Sequence, residues 1–420
     1  MMTLIRCGQL FTGTGNDPLP QTDILVEDGR IGEVSAGIEA PDAEMIDLSS
    51  YFVMPGLIDA HTHLSVEPSR GDQLGQMRQP PGQQALRVPG HLAKDLAAGT
   101  TTLRIMGEED WLDVYTRQAI REGSLAGPNL LIATRGLAAS NGHGRAKSAF
   151  DGTDEVRHGA RENLAHGADF LKLFATGGVA SGTGLESAMY SFDEMRVAVE
   201  EAERKGTYVA AHAHGGPGLR MAAEASVRTI EHAALASEAD VEAMLRQNCW
   251  VIGTFTILFH PDGIERGDAS NPAILEKLVA AREKAAESMA RIFASGLPFA
   301  LGTDSMHGHM PYEVQTAIRL GLSPKQALLA ATKGGARALR IDDRTGTIEA
   351  GKDADIIALD GDPLVDPSAL DRIVFVMKGG KSLALWPPLR VREGELTRSS
   401  PSLHPRTAEE RGTGVMGRTL

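Results

Sequence analysis

Cysteine is nearly absent: Cys7 and Cys249 are the whole complement. Two thiols build neither a disulfide framework nor a Cys-rich zinc site, and such sparse use suits a reducing compartment. Basic residues are in deficit. Lys and Arg total 42 against 55 Asp and Glu, a net charge of −13. A nucleic-acid binder shows the reverse, so no nucleic-acid partner is expected. No run of 18 apolar residues occurs, so no membrane-spanning helix is expected and a membrane is not an expected partner. The opening Met1-Met2-Thr3-Leu4-Ile5-Arg6-Cys7 lacks the apolar core and cleavage site of a signal peptide, and a cytoplasmic protein is expected. A Gly-rich phosphate fingerprint after an early strand is also missing, which argues against a doubly wound nucleotide fold. No internal repeat is found. What is present is globular: 42% hydrophobic and 23% charged residues over 420 positions, enough for one large domain and a smaller one.

The two chain ends share a texture. Ile24-Leu25-Val26 and Ile31-Gly32-Glu33-Val34 flank Asp28-Gly29, a hairpin signal. Asp355–Leu359 and Ile373–Val376 precede the Lys378-Gly379-Gly380 turn. The ends therefore read as halves of one small β-domain, residues 1–54 and 341–392, followed by a Ser/Arg/Thr/Gly-rich tail from 393 to 420. Between them, over 55–340, β-branched runs alternate with helical segments. Eight strands are expected: Phe52–Ala60, Thr100–Ile105, Asn129–Thr134, Phe170–Phe174, Thr207–Ala211, Arg228–Glu231, Trp250–Phe255 and Pro298–Gly302. Ser191 with Glu194 forms a capping box ahead of a helix over Asp193–Lys205, and Ser323-Pro324-Lys325-Gln326 opens another. Eight βα units predict an α/β fold, a (β/α)8 barrel. Residues 66–90, with Pro68, Pro80, Pro81 and Pro89, read as a long loop able to act as a lid.

Chemistry gathers at the strand ends. The first strand ends Asp59-Ala60-His61-Thr62-His63. Residues two apart on a strand point the same way, so His61 and His63 project together from the C-terminal end, where a barrel keeps its active site. Two surface histidines would show the same spacing. The pattern recurs, however. Lys172 sits inside the apolar run Phe170–Phe174, where an unpaired ammonium is expensive. It is either a snorkelling lysine or one of lowered pKa, able to add carbon dioxide as a carbamate and bridge two cations. The fifth strand ends in His212 and His214, the sixth in His232, the eighth in Asp304. Packing alone does not explain ligand-type side chains on so many strand ends.

These segments resemble the amidohydrolase superfamily: Val53–His63, the lysine strand with Thr176-Gly177-Gly178, the strand-five histidine, Ile230-Glu231-His232, Gly302-Thr303-Asp304 and Ala350–Ile356. The likeness covers roughly residues 3–385 and is greatest to the Xaa-Pro dipeptidase and carboxypeptidase-like branch, which includes relatives acting on mycotoxin and pesticide amides. It implies a distorted (β/α)8 barrel with a small β-sandwich domain and a binuclear, usually zinc, centre. His61, His63 and Asp304 would hold one cation, His212 and His232 the other, with Lys172 carboxylated on Nζ as the bridge. His212 is taken over His214 as the ligand, because the relatives' ligand occupies the first position. His143, in Asn141-Gly142-His143-Gly144, would stand beside substrate, with His214 and Tyr190 as further substrate contacts.

The resemblance implies hydrolysis of an amide. A hydroxide available at neutral pH between two cations attacks the carbonyl, Asp304 moves the proton, and His143 steadies the oxyanion. The expected partner is a small-molecule amide, and a homo-oligomer is expected. Arg70, Arg78, Arg87, Arg135 and Arg145, on or near the loops after strands one and three, are candidates to bind a carboxylate, which favours a dipeptide or N-acyl amino acid. A neutral cyclic or aryl amide is the alternative, as is a mononuclear deaminase, which needs no bridging lysine. A metal-free scaffold would have shed ligands, and a metal store has no use for Asp304 as a base. His307 and His309, after Asp304, read as a solvated loop.

Overall fold

Asp28-Gly29 makes the hairpin its sequence predicts. Asp23–Glu27 and Arg30–Ser35 pair antiparallel across it. Both turn residues have positive φ, 48° and 84°, the backbone that matches the twist of paired strands. The computed structural model describes residues 2–179 and 181–383; the rest of the 341–392 segment and the tail from 393 lie outside them.

Met2–Leu10 pairs with Asp23–Glu27 on one side and, in parallel, with Glu44–Pro55 on the other. Glu44–Pro55 then pairs with Ile356–Leu359, and Ile356–Leu359 with Ile373–Lys378. Strands from both ends thus share one eight-stranded mixed sheet. Ile5, Ile24, Val26, Val53, Ile356 and Met377 form its buried cluster. The described strands of the small domain make up this one mixed sheet.

The expected strand Phe52–Ala60 is two strands. Glu44–Pro55 stays in the mixed sheet and Leu57–Thr62 begins the parallel layer. The chain changes partners at Gly56: its N–H donates to the Asp355 carbonyl, while Leu57 donates to that of Gly99, each at 2.9 Å. A Cβ on Gly56 would lie 2.2 Å from Thr101 Oγ1, so only glycine passes there.

Seven further parallel strands follow: Thr100–Ile105, Asn129–Ile132, Leu171–Phe174, Val209–Ala213, Thr229–His232, Trp250–Gly253 and Phe299–Leu301. Among the described residues they and Leu57–Thr62 form a three-stranded and a five-stranded sheet, not one continuous barrel. At the seams the strands are too short to pair along their length, and loop residues bridge them. Leu137 N–H donates to Lys172 O (2.8 Å) and Asp304 N–H to His61 O (2.7 Å). Helices cover the layer. Ser191 and Glu194 form the expected capping box on Phe192–Arg204, whose Met195, Ala198, Val199 and Ala202 are buried. Ser323 and Gln326 cap Pro324–Leu329 in the same way. No helix among the described residues is long and apolar enough to cross a membrane.

Residues 66–90 are mostly helical rather than a long loop. Pro68–Arg70 is a 3-10 turn, and Gln73–Arg78, Pro81–Ala85 and the start of Val88–Ala97 are α-helical. Local caps stand in for periodicity. Asp72 accepts from Gly75 N–H (3.0 Å), and the buried Gln76 amide donates to the carbonyls of Glu67 (3.0 Å) and Gly71 (2.8 Å).

Candidate metal centre and active site

His61, His63, Lys172, His212, His232 and Asp304, drawn from five strand ends, line one cavity of about 70 Å³ with His143. The rings pack closely. Centroids lie 4.8 Å apart for His61 and His232, 4.5 Å for His212 and His232, and 4.4 Å for His143 and His212. The tightest set of donor atoms is that of His61, His232 and Asp304, all within 4.8 Å of one another. Asp304 Oδ1 stands 3.5 Å from His61 Nε2 and 3.8 Å from His63 Nε2.

Each candidate imidazole is held from behind through one nitrogen, which leaves the other for a cation. His63 Nδ1 donates to Gly107 O (2.8 Å), and His212 Nε2 to Gly177 O (3.1 Å). His232 Nδ1 pairs with Thr254 Oγ1 (2.7 Å), and His61 Nδ1 with Glu231 Oε2 (2.7 Å). His214 differs. Its Nδ1 is buried without a partner, and its ring stacks on His232. His143 Nδ1 is likewise unpartnered. Burial pushes His63 and His214 down to about 4 and His143 to about 3, and holds His212 and His232 well below the usual range. Neutral imidazoles are the form a cation needs.

Lys172 is 1% exposed, and its ammonium sits 4.9 Å from the Phe174 ring centre. Burial lowers its pKa to about 8, which leaves roughly a tenth of it neutral at pH 7. It does not snorkel. Burial raises Asp304, but His61, His63 and Lys172 more than offset this and hold it below the usual carboxylate range. These donors fit a divalent-cation centre: neutral nitrogens, an ionised oxygen and two buried nitrogens without partners.

The backbone is bent to make this arrangement. His232 and Asp304 have φ of 73° and 52°, a left-handed conformation that costs roughly 1–3 kcal/mol at a non-glycine residue. Asp59 ties the first strand to the last, accepting from His61 N and Thr303 N (both 3.0 Å) and from Thr303 Oγ1 (2.6 Å). A Cβ on Gly302 would meet His61 N at 2.5 Å, so glycine lets the eighth strand close on the first.

Sequence reasoning missed a second layer. Arg104, fully buried, donates to both oxygens of Glu231 (2.8 and 2.7 Å), to Ala60 O (2.5 Å) and to Thr229 Oγ1 (3.0 Å). Glu231 in turn orients His61. Despite burial, the Arg104 charge and the His61 hydrogen bond lower the Glu231 pKa to about 2. An arginine inside the fully buried strand Thr100–Ile105 poses the same conflict as Lys172 in its strand. Glu108 was also missed: it accepts from Leu64 N (2.5 Å) and from Ser65 Oγ (2.7 Å), which holds the chain leaving His63.

Other candidates fall elsewhere. Tyr190 is 3% exposed in the main core, and its hydroxyl donates to Phe150 O (2.8 Å). It is a packing residue and does not line the cavity. His307 is buried, not solvated: it stacks on His91 and pairs with Asp95 Oδ2 at 2.8 Å. None of the five arginines lines the cavity. Arg70 pairs with Glu67, Arg78 donates to Arg145 O and Ala146 O, and Arg87 donates to Gln79 and Gln76. Arg135 pairs with Glu162, and Arg145 donates to Ser140 O.

Known proteins are similar to this chain along most of its length. The ochratoxinase of Aspergillus niger is 27% identical over 90% of this chain and 86% of its own. The imidazolonepropionase of Mycolicibacterium smegmatis is 26% identical over 86% of this chain and 91% of its own. A Xaa-Pro dipeptidase crystallised with methionine in its active site superposes with a TM-score of 0.84 at 26% identity, covering 91% of this chain and all of that one. The sequence model of the amidohydrolase family matches residues 52–383. The protein is thus a metal-dependent hydrolase acting on carbon–nitrogen bonds, and the chain belongs to the amidohydrolase family.

Proposed function

We propose that this protein hydrolyses an amide bond at a centre for two divalent cations, zinc by preference. The observation that carries the reading is the convergence of four back-tethered imidazoles, a buried lysine and an ionised carboxylate on one cavity. His61, His63 and Asp304 would hold one cation and His212 and His232 the other, with Lys172, carboxylated on Nζ, between them. His212 is preferred to His214 because its far nitrogen is already tethered to Gly177. The same reading takes the two parallel sheets as a distorted (β/α)8 barrel with a β-sandwich small domain.

Bound there, two cations supply Lewis acidity and a water acidified towards neutral pH. The chain's own residues do the rest. Asp304 accepts the proton of the attacking water and delivers it to the leaving nitrogen, so it acts first as base and then as acid. His143, neutral and lining the same cavity, donates an N–H to the carbonyl oxygen as charge builds there. Glu231 and Arg104 hold His61 in one tautomer. The reading is tested by reconstituting the metal-free protein with zinc and assaying amides. Turnover that rises with zinc and is lost in Asp304→Asn supports it; turnover indifferent to zinc overturns it.

A further inference from the structure

Two cavities flank the proposed centre. One is the cavity of about 70 Å³ already described, walled by Val66, Leu74, Met77, Met106 and Phe174. The second, of about 40 Å³, is walled mainly by Val179, Ile257, Leu258 and Ile264, with His214 and Thr254 at its polar side. Both are bounded by the same five residues, Gln73, His143, His212, His232 and Asp304. The polar groups thus form a waist between two apolar lobes.

Charge is placed against an anion. Among the described residues, Lys172 is the only lysine or arginine lining either lobe. Glu108 and Glu109 line the larger lobe. Their oxygens are engaged by the loops they hold: Glu108 by Leu64 and Ser65, Glu109 by Lys147 N (2.8 Å) and Ser148 N (3.1 Å). A substrate carboxylate in the larger lobe would lose water and meet apolar walls or another carboxylate.

We propose that the substrate is an uncharged amide with an apolar group on each side of the scissile bond, one in each lobe, and that it needs no free carboxylate. This rests on the hydrolase reading above. In the reaction the carbonyl carbon gains the hydroxyl of water and the C–N bond breaks. The remaining proton goes to nitrogen, giving a carboxylic acid and an amine. The two products carry charge that the lobes do not stabilise, which favours their release.

Three matched compounds test this with zinc-loaded enzyme: N-(2-phenylethyl)benzamide, N-benzoylphenylalanine and N-(1-amino-3-phenylpropan-2-yl)benzamide. They are neutral, anionic and cationic around the same amide. The neutral compound should exceed each of the others by roughly tenfold or more in kcat/KM, because burying an unpaired charge is costly. Calorimetric binding of the three to the Asp304→Asn protein should follow the same order, which gives a readout that does not need turnover. Met77→Lys should move preference towards the anionic compound. Equal or better use or binding of the charged compounds would overturn the inference and leave the hydrolase reading intact. Neutral-selective binding with no hydrolysis of any amide would support the lobes and overturn the hydrolase reading.

Discussion

Replacing Glu231 with glutamine removes one charge from a pair that has no solvent to fall back on. Arg104 and Glu231 are both 0% exposed, and their nearest atoms are 2.7 Å apart. Glu231→Gln leaves the Arg104 guanidinium buried without its counter-charge, which costs about 3–5 kcal/mol. At ~2.1 cal/mol/K of unfolding entropy per residue, that lowers Tm by roughly 3–6 °C for a chain of this size. The substitution also weakens the hydrogen bond that fixes His61, and loss of such a partner typically lowers metal affinity by about 10–100-fold. Calorimetry and competitive zinc titration read the two effects. A second variant separates them. Arg104→Met with Glu231→Leu replaces the whole pair by apolar side chains, which is often neutral or stabilising, so Tm should recover while zinc affinity stays low. Wild-type zinc affinity in both variants would refute the claim that this pair positions His61.

Lys172→Ala should lose metal pairing and activity, and a short-chain carboxylic acid in solution should restore part of both; full activity without it would remove the bridging role. Asp304→Asn should lower kcat by about two to four orders of magnitude, the usual worth of general acid–base catalysis, with less metal lost than in His61→Ala; near-wild-type turnover would move the base to His143 or His214. Chelation should lower Tm, since zinc at ~1,000 times its Kd adds about 4 kcal/mol to the folded state; a Tm indifferent to chelator would mean the donors bind no cation. Gly302→Ala should destabilise the protein and weaken zinc binding together, because its Cβ would meet His61 N at 2.5 Å; thermal melts and zinc titration check this.

Much of the site was legible because strands obey a two-residue period. His61 and His63 advertise a shared direction, and Lys172 advertises a conflict between charge and an apolar strand. Their meeting at one cavity follows from parallel strands sharing a C-terminal edge. Arg104 carried the same conflict as Lys172, but its resolution by Glu231 depends on a partner 127 positions away, which no local pattern reveals. The helices within 66–90 were hidden because their caps and the buried Gln76 do the work of apolar periodicity. Tyr190 and the five arginines looked functional because position near a loop says nothing of orientation. The Tyr190 hydroxyl is taken by Phe150 O, and each guanidinium by a carboxylate, an amide or a carbonyl.

Metal content per chain, measured by elemental analysis after zinc reconstitution and removal of free ion, bears most directly on the central claim. Two zinc ions are expected in the wild-type chain and one or fewer in Lys172→Ala, with amidase activity that rises only as the second ion is taken up. Full activity at one ion per chain, or at none, would contradict that claim.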